Sequence, residues 1–197
     1  MSTPLTMPRL IADAWLGFIL LWWIWALFNK KASRNVWRGK AWAMRLGIVA
    51  LIFLAMQLER VSGLGRWLAH RAPVLLHPAP PWQWAGVALC LAGFLFAIWA
   101  RLHLGGNWGM PMSLRQGHEL VTSGPYAHVR HPIYTGLMLA GLGTVLALGV
   151  LWLPAVALAA VFFVSSARTE ERMLCEQFPK TYPAYQARTR MLIPFVF

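Results

Sequence analysis

Acidic residues are scarce. Six Asp and Glu stand against eighteen Lys and Arg in 197 residues, for a formal net charge of +12. Charge of either sign makes up only 12% of the chain, 58% is hydrophobic, and mean hydropathy is +0.53. That excludes a disordered polyelectrolyte and an ordinary soluble domain. Cysteine is nearly absent. Cys90 falls in an apolar run and Cys175 in a polar one, without a neighbouring thiol or a zinc-ligand spacing, which argues against a disulfide or a zinc site. His128 and His131 stand three apart, but Gly124-Pro125 and Pro132 bracket them and spoil a helical ligand face, so no metal is expected. No Gly-x-Gly-x-x-Gly follows a strand, which excludes the common soluble Rossmann-type cofactor fold. Gly105-Gly106-Asn107-Trp108-Gly109 has no Lys-Ser/Thr behind it and is a flexible turn rather than a phosphate loop. Without internal repeats or low-complexity linkers, one domain over residues 1–197 is the simplest count.

Apolar runs, by contrast, are abundant, and twelve tryptophans suit a bilayer interface. The reading is an all-α integral membrane protein of about five transmembrane helices. Spans are expected at Leu10–Phe28, Ala41–Leu58, Trp82–Ala100, Ile133–Gly149 and Trp152–Ala167. The last two are short and are expected to form a helical hairpin. Residues 1–100 then carry three spans, and 101–197 carry the linker, hairpin and polar tail. The first run ends in bulky Trp22, Trp23, Trp25 and Phe28 and meets Lys30 and Lys31, so it reads as a retained helix rather than a signal peptide. Gly136 with Ala140, and Gly143 with Ala147, give a spacing that permits close helix contact.

The positive charge follows these spans and forms no separate basic domain, so nucleic acid is not an expected partner. With the N-terminus outside and the C-terminus in the cytoplasm, four cations (Arg9, Arg60, Arg66 and Arg71) lie outside and fourteen inside, as the positive-inside bias requires. A bacterial inner membrane is the expected location.

Two polar clusters interrupt the apolar pattern. Residues 118–136 read HELVTSGPYAHVRHPIYTG, and Arg168-Thr169-Glu170-Glu171-Arg172 follows one hairpin later. Polar groups near a membrane are costly to bury, so their density marks a candidate site. Each cluster also has an ordinary explanation. Arg130 could anchor a span at the interface, Pro132 suits a helix start, and Tyr126 and Tyr134 suit an aromatic belt. Thr169 followed by acids could cap a new helix. Adjacent Glu170 and Glu171 point about 100° apart on a helix, so one would face a ligand while the other pairs with Arg168 or Arg172.

The run HELVTSGPYAHVRHPIYTG, a hydrophobic hairpin, and then EERML with later Phe, Tyr, Tyr and Ile-Pro resemble the isoprenylcysteine carboxyl methyltransferase family. The wider group includes phospholipid N-methyltransferases and thiol S-methyltransferases. The pattern Arg-His-Pro-x-Tyr-x-Gly stands at Arg130, His131, Pro132, Tyr134 and Gly136, with its acidic partner at Glu170-Glu171. The resemblance runs from Arg101 to the C-terminus. It implies S-adenosyl-L-methionine as methyl donor in a cytoplasmic pocket. The implied cofactor contacts are His118, Glu119, Leu120, Val121, Tyr126, His131, Pro132, Ile133, Tyr134, and Glu170 or Glu171.

Methyl transfer from a sulfonium needs alignment more than acid–base help. A carboxylate acceptor is already ionised and needs only orientation and exclusion of water. Arg168 is the first candidate to orient it and Arg130 the second. An amine or thiol acceptor would require a base, for which His131 or a Glu is suited. The acceptor expected is a lipophilic small molecule or lipid entering from the bilayer. A non-enzymatic structural or transport protein would instead distribute polar residues inside several spans. Here Asp13, Arg45, Gln57 and Gln83 sit near span ends.

Overall fold

The computed structural model describes residues 6–27, 32–35, 78–105, 113–115 and 120–193. Helix α1 is Met7–Leu27, α2 is Pro80–Leu104, α3 is Pro132–Leu148, α4 is Leu153–Gln177 and α5 is Tyr182–Arg188. A 3₁₀ turn, Gly124–Ala127, precedes α3. The first, third, fourth and fifth expected spans fall on α1 to α4. The second, Ala41–Leu58, lies outside the described residues. Among the described residues, three segments are long and apolar enough to cross a membrane: Met7–Trp25, Pro80–Leu104 and Val150–Gln177. At 17 residues, α3 is shorter.

Helix limits follow local chemistry. Prolines occupy the first turns of α2, α3, α4 and α5, where a missing N–H costs nothing. Gly149, at φ 103°, ends α3 and turns the chain into α4, a conformation that any side chain would strain.

Helices α2 and α3 pack antiparallel along a seam of small residues. A Cβ added at Gly93 would lie 2.5 Å from the Ala140 nitrogen, and one at Gly136 would lie 2.7 Å from that of Ala97. The backbones therefore touch, which supplies the dispersion contact that membrane helices rely on in place of water exclusion. Helix α1 lies parallel to α2 against this pair. Phe18 stacks on Phe94 at 4.5 Å, and the Trp15 indole N–H donates to Thr144 Oγ1 at 3.0 Å. At the far ends of both helices, the Arg101 guanidinium lies 5.4 Å from the centre of the Trp25 ring. Outward-facing Trp23, Leu95 and Val161 remain exposed, as lipid-facing positions should.

Two features differ from the sequence expectation. The chain is not purely helical: Ala32–Asn35 (β1) pairs antiparallel with Ser113–Arg115 (β2). This small ribbon joins the segments that follow α1 and α2, where loop backbone leaving parallel helices finds hydrogen-bond partners. The fifth expected span, α4, also does not stop at Ala167. It runs unbroken to Gln177, so 25 residues extend about 37 Å, beyond a hydrocarbon core of about 30 Å. Thr169 is therefore no cap. Its hydroxyl donates to the Ser165 carbonyl one turn back, at 3.0 Å.

Candidate active site

The extension of α4 carries Glu170 and Glu171 to the level where the chain enters α3. Pro132 opens α3 and, in the segment before it, keeps His131 out of the helical region, at φ −126° and ψ 61°. The chain following α5 runs beside that segment: Arg130 N–H donates to Arg190 O at 2.8 Å and His131 N–H to Met191 O at 3.1 Å. Thr135 Oγ1 donates to Leu192 O at 2.6 Å. Tyr185 O–H donates to the Tyr126 carbonyl at 2.6 Å, tying α5 to the 3₁₀ turn.

His131 lies between the two acids. Its Nδ1 is 3.4 Å from Glu170 Oε2 and its Nε2 is 3.3 Å from Glu171 Oε1. The 100° between adjacent helical side chains is thus bridged by the two opposite nitrogens of one ring. Only an imidazolium can donate from both nitrogens. Burial alone lowers the His131 pKa, but hydrogen bonds to Glu170 and Glu171, with their negative charge, outweigh it and raise the pKa above the ordinary 6.5.

Glu171 is the more committed acid. Arg130 Nε donates to its Oε1 at 2.6 Å, and Gln186 Nε2 donates to its Oε2 at 2.9 Å. Arg130 also donates to the Gln186 and Thr189 carbonyls. The Glu171 side chain is 9% exposed, against 21% for Glu170. Glu170 Oε1 accepts the Tyr134 hydroxyl at 2.6 Å, and Tyr134 stacks between His131 and Phe163. Burial raises the pKa of the Tyr126, Tyr182 and Tyr185 phenols, so all three stay neutral.

Of the residues expected at a site, Arg130, His131, Tyr134, Glu170 and Glu171 form one connected cluster. Pro132 and Ile133 are the first two residues of α3 beside it, and Tyr126 is buried in the 3₁₀ turn. Leu120 and Val121 precede that turn and are half-buried, and Arg168 is exposed on α4. His118 and Glu119 lie outside the described residues. The partner of Glu171 is Arg130 from a distant segment, rather than Arg168 or Arg172 on its own helix. Arg130 is turned into the protein, not toward lipid. Sequence reasoning missed Gln186, which has no motif around it, and the carbonyls of 186 and 189, which any residue supplies.

Residues 86–176 match the isoprenylcysteine carboxyl methyltransferase (ICMT) family. The chain resembles this family over that stretch. Among curated relatives, it is 34% identical over 115 residues to protein-S-isoprenylcysteine O-methyltransferase of Tribolium castaneum, covering 56% of this chain and 41% of the relative. It is 38% identical over 120 residues to the protein of that name in Schizosaccharomyces pombe (55% and 47% covered). Identity to cobalt-zinc-cadmium resistance protein CzcN of Cupriavidus metallidurans is 37% over 112 residues (55% and 46%). The chain thus spans less than half the length of these three relatives. The solved structure of the eukaryotic intramembrane Ras methyltransferase ICMT superposes with a TM-score of 0.59 at 27% identity, covering 75% of this chain and 53% of that one. Apolar helices and likeness to the ICMT family support an integral membrane protein.

Proposed function

We propose that residues 1–197 form a single integral membrane methyltransferase domain that transfers a methyl group from S-adenosyl-L-methionine to the carboxylate of a lipophilic acceptor. The observation that carries this reading is the convergence of both ICMT-family motifs on one imidazole, His131 between Glu170 and Glu171. The donor set suits such a cofactor. Glu170 is the more exposed of the two acids, and a carboxylate accepts from ribose hydroxyls or pairs with an ammonium group. His118 to Val121, Tyr126 and His131 to Tyr134 would complete its surroundings. When bound, that cofactor supplies a sulfonium methyl, so that donor and acceptor leave as S-adenosylhomocysteine and a methyl ester.

The residues then divide the work. Arg130, Glu171 and Gln186 hold the segment before α3 against α4 and α5. His131 and Tyr134 fix the Glu170 carboxylate. Arg130 is already engaged by Glu171 and two carbonyls, which leaves exposed Arg168 as the cation to orient an acceptor carboxylate. A carboxylate needs no base. His131, donating to two acids with a raised pKa, is poorly suited to take a proton from an amine or thiol, and this favours the carboxylate reading over those acceptors. The positive-inside bias supports a cytoplasmic position for the cluster with the N-terminus outside, and a bacterial inner membrane is the location in this reading.

Purified protein in detergent is expected to bind S-adenosylhomocysteine. Glu170→Gln and His131→Ala should each weaken binding about 10-fold or more, as expected for hydrogen bonds to charged groups. Glu171→Ala should chiefly destabilise the fold, by about 3–5 kcal/mol, because it leaves the buried Arg130 without its carboxylate. Unchanged affinity in the first two variants would remove the site assignment. Labelled methyl donor added to native membranes should label a lipophilic fraction through a base-labile ester. Label in an amine or thioether would overturn the carboxylate assignment.

A further inference from the structure

A basic residue in the last turn of a helix is ordinary, because it meets the negative end of the helix dipole. Two stand in the last turn of α2, Arg101 and His103. Arg101 serves that end: its Nη1 donates to the Gly105 carbonyl at 2.9 Å. His103 reaches elsewhere. It is exposed, and its Nε2 lies 2.9 Å from Ser123 Oγ, twenty residues on. The two share a hydrogen bond whose direction follows the imidazole tautomer. The same ring lies against Gly124. That glycine has φ 58°, and a Cβ built on it would be 2.6 Å from His103 Cε1, 2.7 Å from Nε2 and 2.8 Å from Nδ1. The imidazole thus fills the space that a side chain at 124 would need. A hydrogen bond to one residue and a close ring contact with the next hold the Ser123-Gly124 step. This step opens the 3₁₀ turn, and the Ser123 carbonyl accepts from the Tyr126 N–H at 3.1 Å. The other end of the turn is held from α5, by the Tyr185 hydroxyl on the Tyr126 carbonyl.

We propose that His103 is a positioning residue for methyl-donor binding, fixing from α2 the stretch that carries Leu120, Val121 and Tyr126. This rests on the methyltransferase reading, which puts those three residues around the cofactor, and adds a residue outside both motifs. The physical argument is preorganisation. Residues 120–123 belong to no helix or strand, so nothing repetitive in their own backbone holds them. A stretch fixed in its bound arrangement before the ligand arrives spares the ligand the cost of ordering it. The contact is exposed and lies at one edge of the bundle, so its loss frees this stretch without loosening the helix packing. Cofactor affinity should respond, and global stability should not.

The test uses the full chain in lipid nanodiscs, with S-adenosylhomocysteine as the probe. His103→Ala should weaken binding about 5-fold, the loss expected for one ordinary hydrogen bond. The thermal midpoint of the cofactor-free protein should stay the same. His103→Gln, whose side-chain amide reaches about as far as Nε2, should restore most of the affinity. Ser123→Ala should weaken binding too, and combining it with His103→Ala should add nothing, because both remove one contact. Hydrogen exchange reads the contact without any cofactor: the Tyr126 amide should exchange several-fold faster in His103→Ala. Unchanged exchange, additive losses in the double variant, no recovery with Gln or a lowered thermal midpoint each overturn the proposal. A parent protein that fails to bind S-adenosylhomocysteine removes the methyltransferase reading and this role with it. A parent and a His103→Ala variant that bind it equally well remove this role alone.

Discussion

One imidazole links segments forty residues apart. His131 is 7% exposed and faces a carboxylate from each ring nitrogen, so its protonated form is part of the fold. Its folded pKa is raised above 6.5, the value it would have unfolded. The linkage sign follows: its stabilising contribution is fully present below pH 6.5 and is lost as pH rises through the raised folded value. The thermal midpoint in detergent should therefore fall on the alkaline side of that value. His131→Gln, which cannot titrate, should flatten this part of the profile. An identical slope in both proteins would show that another group sets it. The Arg-His-Pro-x-Tyr-x-Gly pattern made His131, Arg130 and Tyr134 legible as a group in the sequence. Gln186 was not legible, because one amide in a polar tail carries no pattern. Its role exists only because α5 brings it within 2.9 Å of Glu171.

The seam between α2 and α3 is an element-scale feature. Half of it was readable: Gly136 with Ala140 and Gly143 with Ala147 have the spacing of a close helix contact. The partner surface, Gly86, Cys90, Gly93 and Ala97, came from the structure, because spacing within one helix does not name the helix opposite. Gly93→Ala would place a methyl 2.5 Å from the Ala140 nitrogen and the Gly136 carbonyl, both backbone atoms that cannot turn aside. A loss of about 1–3 kcal/mol is expected, seen as a lower thermal midpoint. Gly17→Ala on α1, with nothing within 4 Å of the added methyl, should be neutral or mildly stabilising through helix propensity. Equal effects at both positions would mean that the seam does not limit stability. The continuity of α4 was likewise hidden, since the hydropathy drop at Arg168 looks like a helix end. A helix can leave the bilayer without ending, because its backbone bonds are internal and only its side chains need to change solvent.

At the scale of the whole molecule, the cluster lies at one end of the bundle, with the C-terminal ends of α1 and α2, the start of α3 and the far end of α4. The orientation proposed for it can be tested by labelling. In a background where Cys90 and Cys175 are replaced by Ser, Ala79→Cys at the start of α2 should react with a membrane-impermeant maleimide in intact spheroplasts. Ala187→Cys on α5 should react only after permeabilisation. Both positions are exposed in the fold, so failure to label reports the membrane and not burial. The reverse pattern would invert the topology, and labelling of both from one side would contradict a bundle that crosses the bilayer between them. By itself the sequence determined that the chain belongs in a membrane, where four of its apolar helices lie, and which two polar segments break the apolar pattern. Hydropathy and motif are properties of neighbouring residues, and a bilayer reads them locally. Only the tertiary structure decided that Glu171 pairs with Arg130 rather than with an arginine on its own helix, that His131 engages both acids, and that His103 meets Ser123. Those outcomes depend on side-chain directions fixed by packing between distant segments, and no local pattern encodes them.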